Sequence, residues 1–266
     1  MTQSTTQAPN QQGSWASSGL PGQRSADPAI AIETACRTLG LTTMRGRWEE
    51  AVQQALREHA SYADFLAELL ESECEDREER RKMRRVKEAG FPRQKRIEDF
   101  DFSKNPNVSP EVVNTLATMN WVRAGQPLCL IGDSGTGKSH LLIGIGTAVA
   151  EAGGRVRYTT AANLVNELAE AADDKQLGRT IKKYGRVDLL CLDELGYVKL
   201  DRHGAELLFQ IFTEREERHA IAIASNQPFV KAHMFRRTCA RWRRNFTGSW
   251  CVQSGSLGTR RRRCPG

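Results

Sequence analysis

Short apolar runs alternate with helix-periodic stretches through the second half of the chain. Leu128–Ile131 reads as a buried strand, residues 138–152 as a helix and Val156–Thr159 as a second strand. Helical segments follow near 161–171 and 175–183. A strand is expected over about Asp188–Leu192, a helix over 203–217 and a further strand over Ala220–Ala224. Strands that alternate with helices predict a parallel sheet covered on both faces, an α/β fold. Upstream, Ser109-Pro110-Glu111 has the polar cap and first-turn proline of a helix start, and that helix is expected to reach about Arg123.

Residues 29–90 carry a helical pattern with no strand signal. One apolar-periodic stretch lies around Trp48–Leu56. A second begins at Ser61, where Ser61 and Asp64 make a capping-box-like start before Phe65, Leu66, Leu69 and Leu70 on one face. This helix is expected to run through the charged stretch 71–88, where Glu73 and Arg77, and Glu78 and Lys82, lie one turn apart. Gly90 and Pro92 then stop it. The charge run reads as a solvated helix surface, with phosphate or partner contacts by Arg80, Arg81, Lys82, Arg84 and Arg85 as the alternative. The lead Met1–Asp27, rich in Gln, Ser, Thr and Gly, has neither the basic start nor the apolar core of a signal peptide and is expected to be disordered.

Composition changes this picture in three ways. With 39% hydrophobic residues over 266, the chain can bury a sizeable core, yet its longest apolar runs fall far short of the roughly 20 residues that a membrane span needs. A cytoplasmic protein with no membrane partner is expected. The seven cysteines form no CxxC pair and no zinc-ligand spacing, so reduced thiols are expected, with Cys129 and Cys191 as small core residues. The formal charge of +7 is unevenly distributed: residues 231–266 hold one Lys and nine Arg with no acid, which leaves the remainder at −3. The bulk of the chain is therefore not basic.

The chemistry lies at the strand ends. Gly132-Asp133-Ser134-Gly135-Thr136-Gly137-Lys138-Ser139 fits G-x-x-x-x-G-K-[ST], between an apolar strand and an apolar helix that continues from His140. Glycines there let backbone N–H groups turn towards phosphate oxygens, and the helix N-terminus adds its positive dipole. Lys138 can reach the β- and γ-phosphates of ATP, and the Ser139 hydroxyl can ligate Mg²⁺. Residues 132–140, Gly132 through His140, form the expected nucleotide-contacting set. Downstream, the strand Asp188–Leu192 ends in Asp193-Glu194. A neighbouring strand of a parallel sheet would bring Asp193 beside the Mg²⁺, as a direct ligand or a partner one layer out, and Glu194 beside the γ-phosphate, where its carboxylate can accept a proton from the attacking water. A helix cap would explain such a pair without the loop. Ser225-Asn226 ends a further strand; Asn226 can hold that water with Glu194, or be a turn residue before Pro228.

In this order and spacing the three elements resemble the AAA+ P-loop ATPases: Walker A at 132–139, Walker B at 189–194 and sensor 1 at Asn226. Phe91-Pro92, Ile97-Glu98-Asp99-Phe100-Asp101-Phe102, Leu192-Asp193-Glu194-Leu195-Gly196-Tyr197 and Ser225-Asn226-Gln227-Pro228-Phe229 narrow the match. They are similar to the IstB family of insertion-sequence ATP-binding proteins over about 35–229. DnaC-type helicase loaders are relatives of that family and share a helical insertion corresponding to about 161–183. With the readings above, the chain divides into a lead over 1–28, an N-terminal helical region over 29–92 and, as the resemblance implies, an AAA+ core over 93–229. The resemblance also implies an ATP-driven, Mg²⁺-dependent helper of transposition that assembles as a homo-oligomer on double-stranded DNA without sequence preference and recruits a transposase. A helicase loader, or an ATP-binding adaptor with defective hydrolysis, are the alternatives.

After Phe229 the resemblance ends. The tail 230–266 has no acid, two Trp and three Cys in its last 36 residues, and no helix periodicity. It looks like translation in another reading frame, and an absent or degenerate C-terminal lid with a disordered tail is expected. A basic DNA-binding tail is the rival reading.

Overall fold

The computed structural model describes residues 27–195, 201–216 and 218–226, and the backbone of Trp250–Ser254. The chain forms two compact units, Met1–Asp76 and Arg77–Gly266, with the boundary inside a long helix. In the first unit, α1 (Pro28–Leu39) is capped by the Asp27 carboxylate, which accepts from Ala29 N, and it ends at Gly40 in the left-handed conformation. α2 (Thr42–Glu58) has no side-chain cap of its own. Its N-terminus is served instead by α3 (Tyr62–Ala89): Glu73, 3% exposed, accepts from Thr43 N and Met44 N at 2.8 and 3.0 Å, and Asp76 accepts from the Thr43 hydroxyl. Glu73 is thus an inter-helix cap as well as part of the charge run, because a carboxylate is favoured among the free N–H groups of a first turn.

In the second unit a five-stranded sheet has the order β2-β3-β4-β1-β5, with every recorded pairing parallel. The strands are β1 (Leu128–Gly132), β2 (Val156–Thr160), β3 (Leu189–Asp193), β4 (Ala220–Ser225) and β5 (Trp250–Ser254). Side-chain alternation divides two cores. Leu189, Cys191, Ala220, Ala222 and Ala224 face one way with Leu128 and Leu130. There they pack with α6 (Lys138–Glu151), whose residues 141–147 are all buried. Leu190, Leu192, Ile221 and Ile223 face the other way, into a cluster with α7 (Ala161–Asp173), α8 (Leu177–Gly185) and α9 (Arg202–Arg215). Helices on both faces explain why β3 and β4 are apolar up to their last residues, Asp193 and Ser225.

Cys129 and Cys191 are core residues, and burial pushes the Cys191 thiol well up from its usual range. Arg215, 1% exposed, donates to the carbonyls of Tyr184, Asp188 and Ala220, which ties the starts of β3 and β4 to the end of α8. Burial pushes its guanidinium down to about 10.

Three expectations change. The helix expected from 110 to about Arg123 is two, α4 (Pro110–Leu116) and α5 (Asn120–Arg123). The buried Trp121 indole donates to Leu116 O at 2.7 Å and the Thr118 hydroxyl to Thr115 O, so carbonyls at the end of α4 are taken by side chains. The strand bearing Asp193 is not next to the loop strand, because β4 lies between β1 and β3. Within the tail expected to be disordered, Trp250–Ser254 pairs in register with Leu128–Gly132 as an edge strand. Backbone hydrogen bonds supply that pairing, and they leave little trace in composition. The rest of the tail, the lead before Asp27 and the frame question lie outside the described residues.

Candidate nucleotide site

The loop after β1 turns on Gly135 and Gly137, whose φ values of 79° and 83° are ones that L side chains rarely adopt. Gly137 has a second constraint: a Cβ there would lie 2.6 Å from Phe100 Cε2. The loop is laced by its own groups. The Thr136 hydroxyl donates to Asp133 O at 2.8 Å, Lys138 Nζ donates to the same carbonyl, and Asn105 Nδ2 donates to Thr136 O at 3.0 Å. Asn105 follows a 3-10 turn, η1 (Phe102–Lys104), and is 9% exposed. Gly137 is the N-cap of α6, so Lys138, Ser139 and His140 occupy its first turn, where N–H groups are free of intrahelical partners. Ser139 is exposed there, as are Asp133, Ser134 and Gly135. His140 is directed elsewhere: its Nε2 lies 2.9 Å from Arg96 O and its ring meets Phe100 edge-on at 5.4 Å. It therefore fastens the 96–102 segment to the helix.

Sheet parity brings Asp193 and Asn226 to the same side. Leu189, Cys191 and Asp193 alternate onto the face that packs on α6, and Ala220, Ala222 and Ala224 lead with the same parity to Asn226. The ends are level: Leu192 pairs with Ile223, Ile131 pairs with Ser225, and Leu195 N donates to Ala224 O. Asp193 is 4% exposed and accepts from Glu194 N and the Tyr158 hydroxyl, each at 2.8 Å. Burial and then the Asp193 charge push the Tyr158 phenol well up, which keeps it a donor. Glu194 is exposed and holds a left-handed backbone, φ 61°, a conformation that costs a non-glycine residue about 1–2 kcal/mol. Such strain persists where the surroundings impose it, here the bonds on either side at Asp193 and Leu195. Asn226 Oδ1 is shielded from solvent and has no hydrogen-bond partner among the described residues.

The donor set suits Mg²⁺. Among the described residues no group of three or more His, Cys, Asp or Glu side chains could cage a metal. Mg²⁺ is characteristically held by one or two protein oxygens together with substrate phosphates, and Ser139 and Asp193 are oxygen donors of that kind.

Asn105 and Tyr158 escape sequence motifs. Asn105 reaches the loop across 31 positions and Tyr158 reaches Asp193 across 35, so only the strand register, Tyr158 opposite Cys191, reveals the second.

A phosphate-binding loop after β1, carboxylates after β3, a polar residue after β4 and the strand order 2-3-4-1-5 together define an AAA+ P-loop NTPase. The chain belongs to the IstB-like ATP binding protein family, which matches it over residues 34–237 and thus beyond Phe229. One relative, from Geobacillus stearothermophilus, is named as an ATP-binding protein of insertion sequence IS5376. It is 32% identical over 74% of this chain and 79% of its own length. A Sinorhizobium fredii protein, also named for an insertion sequence and ATP binding, is 39% identical over 72% of this chain and 64% of its own. Among solved structures, the replication initiator DnaA bound to AMPPCP and single-stranded DNA superposes with a TM-score of 0.54 at 24% identity. It covers 64% of this chain, which spans about half of that protein, 52%. That likeness is one of fold. Among the described residues no helix is long and apolar enough to cross a membrane.

Proposed function

We propose that this protein binds and hydrolyses Mg²⁺–ATP as a helper of DNA transposition. The observation that carries the reading is the convergence of the Lys138 loop, Asp193-Glu194 and Asn226 at the carboxyl ends of β1, β3 and β4. Loop N–H groups and the first turn of α6 hold the phosphates, with Lys138 supplying the cation for the β- and γ-oxygens. Ser139 and Asp193 hold the Mg²⁺, which when bound neutralises charge on the phosphates. Glu194 accepts the proton of the attacking water, and the free Oδ1 of Asn226 fixes that water in place.

The names of the relatives support an insertion-sequence setting. In that setting the ATP site acts as an assembly switch: ATP favours a homo-oligomer on double-stranded DNA that recruits a transposase, and hydrolysis releases it. The test is ATP turnover by the full chain with and without double-stranded DNA, alongside sedimentation with ATP and with ADP. Turnover that DNA stimulates and larger particles with ATP are expected. Undetectable turnover in both conditions, despite tight ATP binding, would reduce the protein to an ATP-binding adaptor.

A further inference from the structure

Tyr158 stands outside every motif used above, yet it makes the only side-chain hydrogen bond recorded to Asp193 among the described residues. Glu194 N holds Oδ1 and the phenol holds Oδ2, each at 2.8 Å. With one donor the carboxylate could still turn about its broad terminal torsion; two donors on opposite oxygens fix its plane. Each oxygen keeps a lone pair for a further partner. The dependence runs from Asp193 to Tyr158. Tyr158 is half-buried, whereas Asp193 is 4% exposed and its carboxylate needs protein donors.

The ring is held as well. Phe91 packs on it with centroids 6.0 Å apart, and a Cβ on Gly146 of α6 would come within 2.9 Å of Phe91 Cζ. Tyr158 therefore sits in a packed stack that runs from α6 through Phe91 to Asp193. A Phe in its place would fill the stack and leave Oδ2 without its donor.

The geometry points to Tyr158 as a positioning residue that sets the orientation in which Asp193 meets Mg²⁺. It rests on the Mg²⁺–ATP reading and deepens it. Partners that orient metal-ligating groups are worth about 10- to 100-fold in metal affinity or activity. Substrate phosphates share the ion here, so about tenfold is expected.

The test is Tyr158→Phe in the full chain, with Mn²⁺ as the probe. Mn²⁺ binding to the complex with a non-hydrolysable ATP analogue is followed by electron paramagnetic resonance, and analogue affinity is measured separately in EDTA. The variant should keep the metal-free affinity of the wild type, melt slightly lower because a buried carboxylate loses a donor, and lose about tenfold in Mn²⁺ affinity. Raised Mg²⁺ should restore its turnover. Mn²⁺ affinity within twofold of wild type, or loss of melting temperature and metal-free affinity together, overturns the proposal and leaves the ATP site standing. A wild type that binds neither the analogue nor its Mn²⁺ complex overturns the functional reading and this one with it.

Discussion

The ends of β1 and β3 carry the two halves of the candidate site, and they are built by opposite means. At β1 the shape is local: positive φ at Gly135 and Gly137, the Asp133 carbonyl taken by Thr136 and Lys138, and a helix starting at once. At β3 it is assembled from a distance: the Tyr158 phenol on Asp193, the Ala224 carbonyl on Leu195 N, and Glu194 held in a strained backbone between them. The first half presents backbone N–H groups and one cation, suited to binding. The second presents the Asp193 carboxylate held by two donors and the exposed Glu194 on a constrained backbone, suited to chemistry. Binding and hydrolysis should therefore separate under mutation.

The largest separation is expected for Glu194→Gln. The amide keeps the shape and cannot take a proton, so ATP binding should persist while turnover falls about 10²- to 10⁴-fold. Poor ATP binding by the variant would assign Glu194 to the metal instead.

Gly137→Ala attacks the β1 half through its backbone. The left-handed φ costs about 1–2 kcal/mol, and the overlap with Phe100 adds about 1–3 kcal/mol. A lowered melting temperature with loss of nucleotide binding is expected, and an unchanged melting curve would show that the loop and the Phe100 segment move apart freely.

Lys138→Ala removes a charge-assisted contact worth about 1.5–3 kcal/mol, or roughly 10- to 100-fold in ATP affinity. Affinity within twofold of wild type, measured by titration calorimetry, would remove the loop from the site.

The smallest effect belongs to Asn226→Ala on β4, between the halves. One neutral hydrogen bond to water is worth about 1 kcal/mol, so turnover should fall by roughly five- to tenfold with ATP affinity intact. A change in affinity without a change in turnover would make Asn226 a binding residue.

The same contrast explains what was legible in the sequence. Gly132–Ser139 could be read because its glycines, lysine and serine are contiguous and each answers to a local requirement. The apolar runs of β1–β4 could be read because helices cover both faces. Tyr158 and Asn105 could not, since their roles depend on strand register and on a turn folding back over 31 residues. The break between α4 and α5 was hidden because Trp121 caps Leu116 through an indole that the apolar pattern counts only as core. The place of β4 between β1 and β3 was hidden as well, because chain order does not state strand order.

The measurement that bears most directly on the whole account is a structure of the full chain with Mg²⁺ and a non-hydrolysable ATP analogue. Lys138 Nζ should lie about 3 Å from β- or γ-phosphate oxygens. Asp193 should face the metal, and Glu194 and Asn226 should converge on one water beyond the γ-phosphate. A γ-phosphate away from Lys138, or a lytic water held by other side chains while Glu194 points to solvent, would contradict it.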